Sequence, residues 1–342
     1  MTVESLVLVA NAGDGSISVF RCDGTSLERL SVTEGLTGCS NFAVDTERNL
    51  VHAAVKGDPA GIVTLSLDRE TGQLGQLGRV DLPQGGMNYL WLTRGGTVLL
   101  GASYGGGYGI TAPVDGTTVG APVATVEHPN LHSVAASSDG RFVYFVSLGA
   151  DLVAQYALDD DLGLTPLAAE SAAAPEGSGP RHLIFNDAED TLYVMTEFSG
   201  EVLRFSRDKS TGELTAVDAT NTVDPDAQLQ QGVLGGSPLD EHAIWGADIH
   251  WGADEQTLWV SERTESTLAA VEVAADGSLT PPENYTVTET QPRGFATSPD
   301  GRLLVAAGER STQVSLYAVD GTELKLLDQA ETGKGANWVR FV

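Results

Sequence analysis

Ala135-Ala136-Ser137-Ser138-Asp139-Gly140-Arg141-Phe142-Val143-Tyr144 and Ala296-Thr297-Ser298-Pro299-Asp300-Gly301-Arg302-Leu303-Leu304-Val305 are two copies of one phrase. Each copy is a small-residue run, an Asp-Gly turn and an apolar run, the pattern of two antiparallel strands joined tightly. Degraded copies stand at Asp45-Thr46-Glu47-Arg48-Asn49-Leu50, Arg94-Gly95-Gly96-Thr97-Val98, Asn186-Asp187-Ala188-Glu189-Asp190-Thr191-Leu192 and Ala253-Asp254-Glu255-Gln256-Thr257-Leu258. A second turn follows further along: Asp23-Gly24, Thr71-Gly72, Asp115-Gly116, Leu162-Gly163, Thr211-Gly212, Asp276-Gly277 and Asp320-Gly321. Two hairpins in each period of about 45 residues make a four-stranded unit. Seven units predict an all-β, seven-bladed β-propeller, with residues 1–342 as a single domain.

The ends of the chain predict how the ring closes. The sequence starts mid-repeat at Leu6-Val7-Leu8-Val9 and finishes on a lone strand-like run, Ala336-Asn337-Trp338-Val339-Arg340-Phe341-Val342. That last run is expected to be the innermost strand of the N-terminal blade, so no sheet edge is left open. One interval is longer than the rest, with its excess within 216–244. Such an insertion is a functional loop or a flexible excursion, and the sequence leaves a lid open as a reading.

Composition narrows the function class. The chain has 342 residues, 41% of them hydrophobic, which suffices for a full core. No apolar run reaches the roughly 18 residues of a membrane span. Met1-Thr2-Val3-Glu4-Ser5 lacks the basic run of a secretory signal, and Cys22 and Cys39 are too few for a disulfide scaffold. A cytoplasmic protein with reduced thiols is expected, monomeric or weakly homodimeric. The net charge of −28 makes nucleic acid and anionic membranes poor partners. It also makes any cluster of arginines informative.

Such a cluster emerges from the repeat. The start of an innermost strand and the end of the second strand lie on one face of a blade. Counting along the repeat places Ser40, Asn88, His132, His182, Asp248, Arg293 and Asn337 at the first position, and Asn11, Val55, Ser103, Ser147, Glu197, Arg263 and Gly308 at the second. Arg181 adjoins the first ring, and His250 follows Asp248 by one strand period. A wet channel rim accounts for the serines and asparagines. It accounts poorly for three arginines in so acidic a chain.

Convergent arginines suit a phosphate or carboxylate through forked hydrogen bonds. A carboxylate such as Glu197 beside His132 or His182 suits general-base work, and an arginine suits a developing oxyanion. Asn88, Asp248, Glu197 and Asn337 offer a rival set of metal ligands, but three nearby arginines oppose a divalent cation, so no metal is expected. His52, His128 and His242 read as strand, loop and insertion residues. Gly105-Gly106-Gly107 precedes no helical pattern and reads as close packing at the rim.

These motifs resemble a known family, the seven-bladed propeller lactonases, which include bacterial 6-phosphogluconolactonases and the fungal carboxymuconate lactonizing enzymes. The resemblance is carried by Gly177-Ser178-Gly179-Pro180-Arg181-His182, Trp245-Gly246-Ala247-Asp248-Ile249-His250, Glu262-Arg263-Thr264 and Gln291-Pro292-Arg293-Gly294-Phe295, with Leu131-His132-Ser133 and Ala306-Ala307-Gly308. It implies a cofactor-free propeller that hydrolyses a small anionic lactone, 6-phosphoglucono-δ-lactone of the pentose phosphate pathway. It places His132, Arg181, Glu197 and Arg263 as the catalytic set. His182, Asp248, His250, Gln291 and Arg293 are the substrate-binding candidates, with Arg293 and His182 on the anionic end. The early blades match more weakly, at the glycine-rich Gly101–Tyr108 and at Asn11. Two alternatives stay open: a cycloisomerase acting on a muconolactone, and a noncatalytic binding propeller.

Overall fold

The computed structural model describes residues 5–82, 84–253 and 255–342. Asp254 of one predicted turn and Met1–Glu4 of the opening segment lie outside them. The described strands form seven antiparallel sheets, the blades of a propeller. Blade one joins Ser5–Asn11, Ser16–Cys22 and Leu27–Thr33 to the C-terminal strand Ala336–Phe341. The pairing runs Val7 opposite Phe341, Val9 opposite Val339 and Ala10 opposite Trp338. Innermost strands of blades two to seven are Asn41–Asp45, Tyr89–Thr93, Leu131–Ala136, Pro180–Phe185, Gly246–Trp251 and Pro292–Thr297. In blades three and six the outermost strand is split in two, beside Pro122 and beside Pro281-Pro282. Proline lacks the N–H a continuous ladder requires.

The phrase that predicts the fold builds the same turn in both copies. Ser137 Oγ donates to Asp139 Oδ1 at 2.6 Å, and the Arg141 N–H donates to the same oxygen at 3.0 Å. Ser298, Asp300 and Arg302 repeat this at 2.7 and 3.2 Å. Gly140 and Gly301 sit at φ +67° and +61°, where a side chain is strained. Second strands such as Phe142–Ser147 are buried throughout, because neighbouring blades cover both faces. Outer strands such as Leu164–Ala173 are mostly exposed.

Five innermost strands carry a register shift at their first turn of ladder. The shifts fall at His132, at Arg181, across Ala247 and Asp248, at Arg293, and beside Asn337. A bulge inserts an unpaired residue and re-aims its side chain. Of the bulged residues, His132 and Arg293 line the cavity at the channel mouth.

The long insertion is packed down on blades five and six. It contains a 3-10 turn, Pro225–Ala227, and a short helix, Pro238–Glu241. Gln230 bridges to Ala243, the Gly232 N–H donates to the Phe198 carbonyl at 2.9 Å, and Thr264 Oγ1 donates to the Ala243 carbonyl at 2.6 Å. Its last residues lead Trp245 to the channel mouth.

Candidate active site

A cavity of about 560 Å³ opens at the channel mouth, walled by His132, Glu197, Trp245, Arg263, Arg293 and Lys56. The backbone explains why these meet. The N–H groups of Lys56, Glu197, Arg263 and Glu309 donate to the carbonyls of Thr37, Gly179, Trp245 and Gln291 at 2.8, 2.7, 3.0 and 2.9 Å. All four therefore occupy one structural position, a single residue past the second strand of their blades. Counting from the strand ends gives Val55, Ser103 and Gly308 in blades two, three and seven. The structure corrects these to Lys56, Tyr104 and Glu309. Aligning the sequence on Glu197 and Arg263, instead of on the last apolar residue, yields all three.

Glu197 is the hub. Its Oε2 accepts from Arg181 Nε at 2.8 Å and meets Arg263 Nη2 at 3.0 Å, while Oε1 accepts from Trp245 Nε1 at 3.2 Å. Burial alone raises its pKa, but Arg263, Arg181 and Arg293 outweigh burial and hold it below the ordinary carboxylate range. Glu197 is thus a fixed anion whose oxygens are already engaged.

Arg263 stacks over the Trp245 ring at 3.9 Å and donates to the Trp245 and Gly246 carbonyls at 3.2 and 3.1 Å through Nε and Nη2. Among the described residues, no hydrogen bond engages Nη1, the remaining arm of the fork. Burial lowers its pKa and Glu197 pushes it back up, so it stays a cation at neutral pH. Arg293 pairs with Glu309 at 2.8 Å. Lys56 has no carboxylate within ion-pair reach among the described residues. Burial and Arg293 lower its pKa. A bound anion would relieve that repulsion.

His132 stands apart electrostatically. It is buried, and burial together with Arg181 and His182 drives its pKa well below 6.5. The ring is neutral at neutral pH. Its Nδ1 is buried without a partner, so Nε2 is the nitrogen that meets the cavity. Asn88 fixes its backbone by donating Nδ2 to the His132 carbonyl at 2.6 Å. Opposite, Gly106 lines the wall where an added Cβ would lie 2.5 Å from the Tyr108 ring. Of the glycine run, only Gly106 is closely packed; Gly105 meets nothing within 4 Å and leaves that part of the cavity wall open.

Five candidate residues lie elsewhere. Arg181 is 1% exposed, behind Glu197, with Nη1 donating to the Ala247 carbonyl at 2.5 Å and lying 3.1 Å from His182 Nε2. His182 and Asp248 come one residue beyond Arg181 and Ala247, so the bulges turn them under the cavity floor. His182 Nδ1 donates to Asp248 Oδ1 at 2.7 Å, and His250 Nε2 donates to Asp248 Oδ2 at 3.1 Å. Burial and Arg181 lower His182 to about 3, so it is neutral and Asp248 holds the charge. Gln291, at φ +60°, is buried outside the cavity lining, with its N–H donating to Ser266 Oγ at 3.0 Å and Nε2 unpartnered among the described residues. Asp248 and Glu197, offered as metal ligands, have their oxygens committed to histidines in one case and to arginines and Trp245 in the other. His52 bonds to Thr64 at 3.0 Å, His128 to Tyr156 at 2.8 Å and His242 to the Ala227 carbonyl at 3.0 Å, all away from this cavity.

Residues 6–341 match the family described as Lactonase, 7-bladed beta-propeller. The chain is 29% identical to the 6-phosphogluconolactonase of Serratia proteamaculans, over 99% of each chain, and 28% identical to that of Sodalis glossinidius, over 98% of each. Among solved structures, the periplasmic gluconolactonase of Pseudomonas aeruginosa superposes with a TM-score of 0.87 at 25% identity, covering 99% of both chains. A Lactobacillus plantarum protein shares the fold, with a TM-score of 0.88 at 22% identity, covering 99% of this chain and 100% of that one. Repeat, ring closure and family match agree: the chain is a lactonase and belongs to the seven-bladed β-propeller lactonase family.

Proposed function

We propose that the protein hydrolyses 6-phosphoglucono-δ-lactone to 6-phosphogluconate, the lactone-opening step of the pentose phosphate pathway. The observation that supports this most is the pairing, in one cavity, of a neutral His132 with Arg263, Arg293 and a Lys56 without an ion-pair partner among the described residues. The lactone carbonyl lies against Arg263, and its phosphate reaches toward Lys56 and Arg293. His132 Nε2 takes a proton from water as the water adds to the carbonyl. Arg263 Nη1 then donates to the oxyanion of the tetrahedral intermediate. Collapse breaks the ring C–O bond, and the imidazolium returns its proton to the leaving alkoxide. Glu197 holds Arg263 in place, and Arg181 holds Glu197. Neither the engaged Glu197 carboxylate nor the buried His182 contacts substrate in this scheme.

The phosphate assignment is tested by Lys56→Met. A charge-assisted hydrogen bond contributes about 1.5–3 kcal/mol, or about 10- to 100-fold. The ratio of kcat/KM for the phosphorylated over the unphosphorylated lactone should fall by that factor. An unchanged ratio would remove Lys56 from the phosphate site.

The base assignment carries a pH signature. A histidine with a depressed pKa stays unprotonated as pH falls, and its function is lost only below that low pKa. Over pH 8 to 6, kcat/KM should therefore stay flat, once spontaneous hydrolysis is subtracted. A descending limb centred near 6.5 would contradict the buried, neutral His132.

Salt should separate the two lactones as well. The field of a −28 chain repels a dianion at long range, and roughly 0.1 M salt screens it over about 10 Å. Raising salt from low millimolar to that level should increase kcat/KM for the phosphorylated lactone and leave the neutral one nearly unchanged. Equal responses would show that long-range charge does not steer this substrate.

A further inference from the structure

The channel has a second mouth. Two adjoining cavities of about 380 and 260 Å³ open there, and both are lined by Tyr89, Trp91, Arg340 and Phe341. Neither shares a lining residue with the catalytic cavity. Between them stands a plug of rings: His182 lies 5.1 Å from His132 and 5.2 Å from Tyr89, and Tyr89 lies 5.2 Å from Trp338, centroid to centroid.

Arg340 is the unusual group at this mouth. Its guanidinium stacks on the Trp338 indole at 3.8 Å, and Nη1 donates to the Val339 carbonyl at 2.6 Å. The fork is therefore held still. Arg48, Arg79, Arg141 and Arg204 each meet a carboxylate, at 2.6–2.7 Å. Arg340 has no such partner among the described residues. It also donates a hydrogen bond to the Tyr89 phenol, and the nearest anion in the cavity lining is Asp248, whose oxygens are held by His182 and His250. A second polar group is His250, whose Nε2 is committed to Asp248 and whose ring lines the larger cavity. Asp248, His182, Thr297 and Ser298 also line the larger cavity, but each already has a partner within the protein: Asp248 in His182 and His250, Thr297 Oγ1 in the Trp251 carbonyl and Ser298 Oγ in Asp300. The flat walls are the half-buried rings of Trp91, Trp251 and Phe341.

We propose that this mouth is a second ligand site, for a small planar carboxylate whose apolar body lies between the rings and whose carboxylate meets Arg340. A planar fork matches a carboxylate through two parallel hydrogen bonds. Flat apolar walls favour an aromatic or unsaturated body. A sugar acid fits poorly, because its hydroxyls would lose water against rings and against polar groups already bonded within the protein. The site is thus chemically distinct from the catalytic cavity and does not depend on the substrate assigned there.

The probe is benzoate, titrated into the full chain and followed by tryptophan fluorescence and by calorimetry, with gluconate in parallel. Saturable benzoate binding is expected in the wild type and in Arg263→Met. Arg340→Met should weaken it about tenfold or more, as loss of a charge-assisted bond does. Gluconate should leave the fluorescence unchanged. Absence of saturable binding to the wild type would overturn the proposal. So would affinity unaffected by Arg340→Met, or abolished by Arg263→Met. Should Arg340→Met fail to melt cooperatively, Trp91→Ala takes its place: weakened binding supports the site, and unchanged affinity overturns it.

Discussion

Arg263→Met is expected to lower kcat on the phosphorylated lactone about 10²–10³-fold, the usual loss when a pre-placed oxyanion donor is removed. The protein should stay folded. The methionine stem still lies along Trp245, and Glu197 keeps its bonds to Arg181 and Trp245, so no buried anion is orphaned. The loss should appear in kcat far more than in KM, because Nη1 gains its partner only as the carbonyl oxygen becomes an anion. Initial rates with spontaneous hydrolysis subtracted decide the matter. A loss below tenfold, or one confined to KM, would mean that Arg263 binds the ground state only.

Deleting residues 336–342 should abolish cooperative folding at room temperature. The segment supplies the innermost strand of blade one and packs against the innermost strand of blade seven. It buries Trp338 and Val339, to 3% and 0% exposure. Burial of those two side chains contributes about 1.5–3 kcal/mol each. The ladder to Ser5–Asn11 adds about 1 kcal/mol per hydrogen bond. Together these approach the 5–15 kcal/mol of a typical domain. Loss of the strand also bares a ladder edge on blade one. A circular-dichroism melt reads the outcome. A truncated chain that melts at the wild-type temperature would refute closure by this strand.

The fold is legible because its punctuation is local. An Asp side chain that caps its own turn, followed by a glycine at positive φ, builds the same hairpin in both copies of the phrase. Ring closure is legible for a related reason, since an unmatched strand at each end can only be satisfied by the other. The site is less legible because its positions depend on counting. A bulge adds one residue without a composition of its own, so His182 and Asp248 read as mouth residues and are turned beneath the floor. The same one-residue difference hides Lys56, Tyr104 and Glu309 behind Val55, Ser103 and Gly308. Arg181 is expected in the catalytic set, but sequence carries no sign that its donors are used up by Glu197 and Ala247. The insertion shows why length alone leaves a lid open: many of its hydrogen bonds to blades five and six use backbone groups that any sequence would offer, and the side-chain ties of Gln231 to Gly177 and His242 to Glu265 follow no repeat.

The most direct measurement is a lactonase assay at moderate salt, on glucono-δ-lactone with and without the 6-phosphate, with spontaneous hydrolysis subtracted. Wild type and His132→Gln are compared. Fast turnover of the phosphorylated lactone by the wild type, slow turnover of the unphosphorylated one, and loss of both in His132→Gln is the result predicted here. Equal turnover of the two lactones would contradict the phosphate site, and no turnover above background on either would contradict the sugar-lactone function altogether.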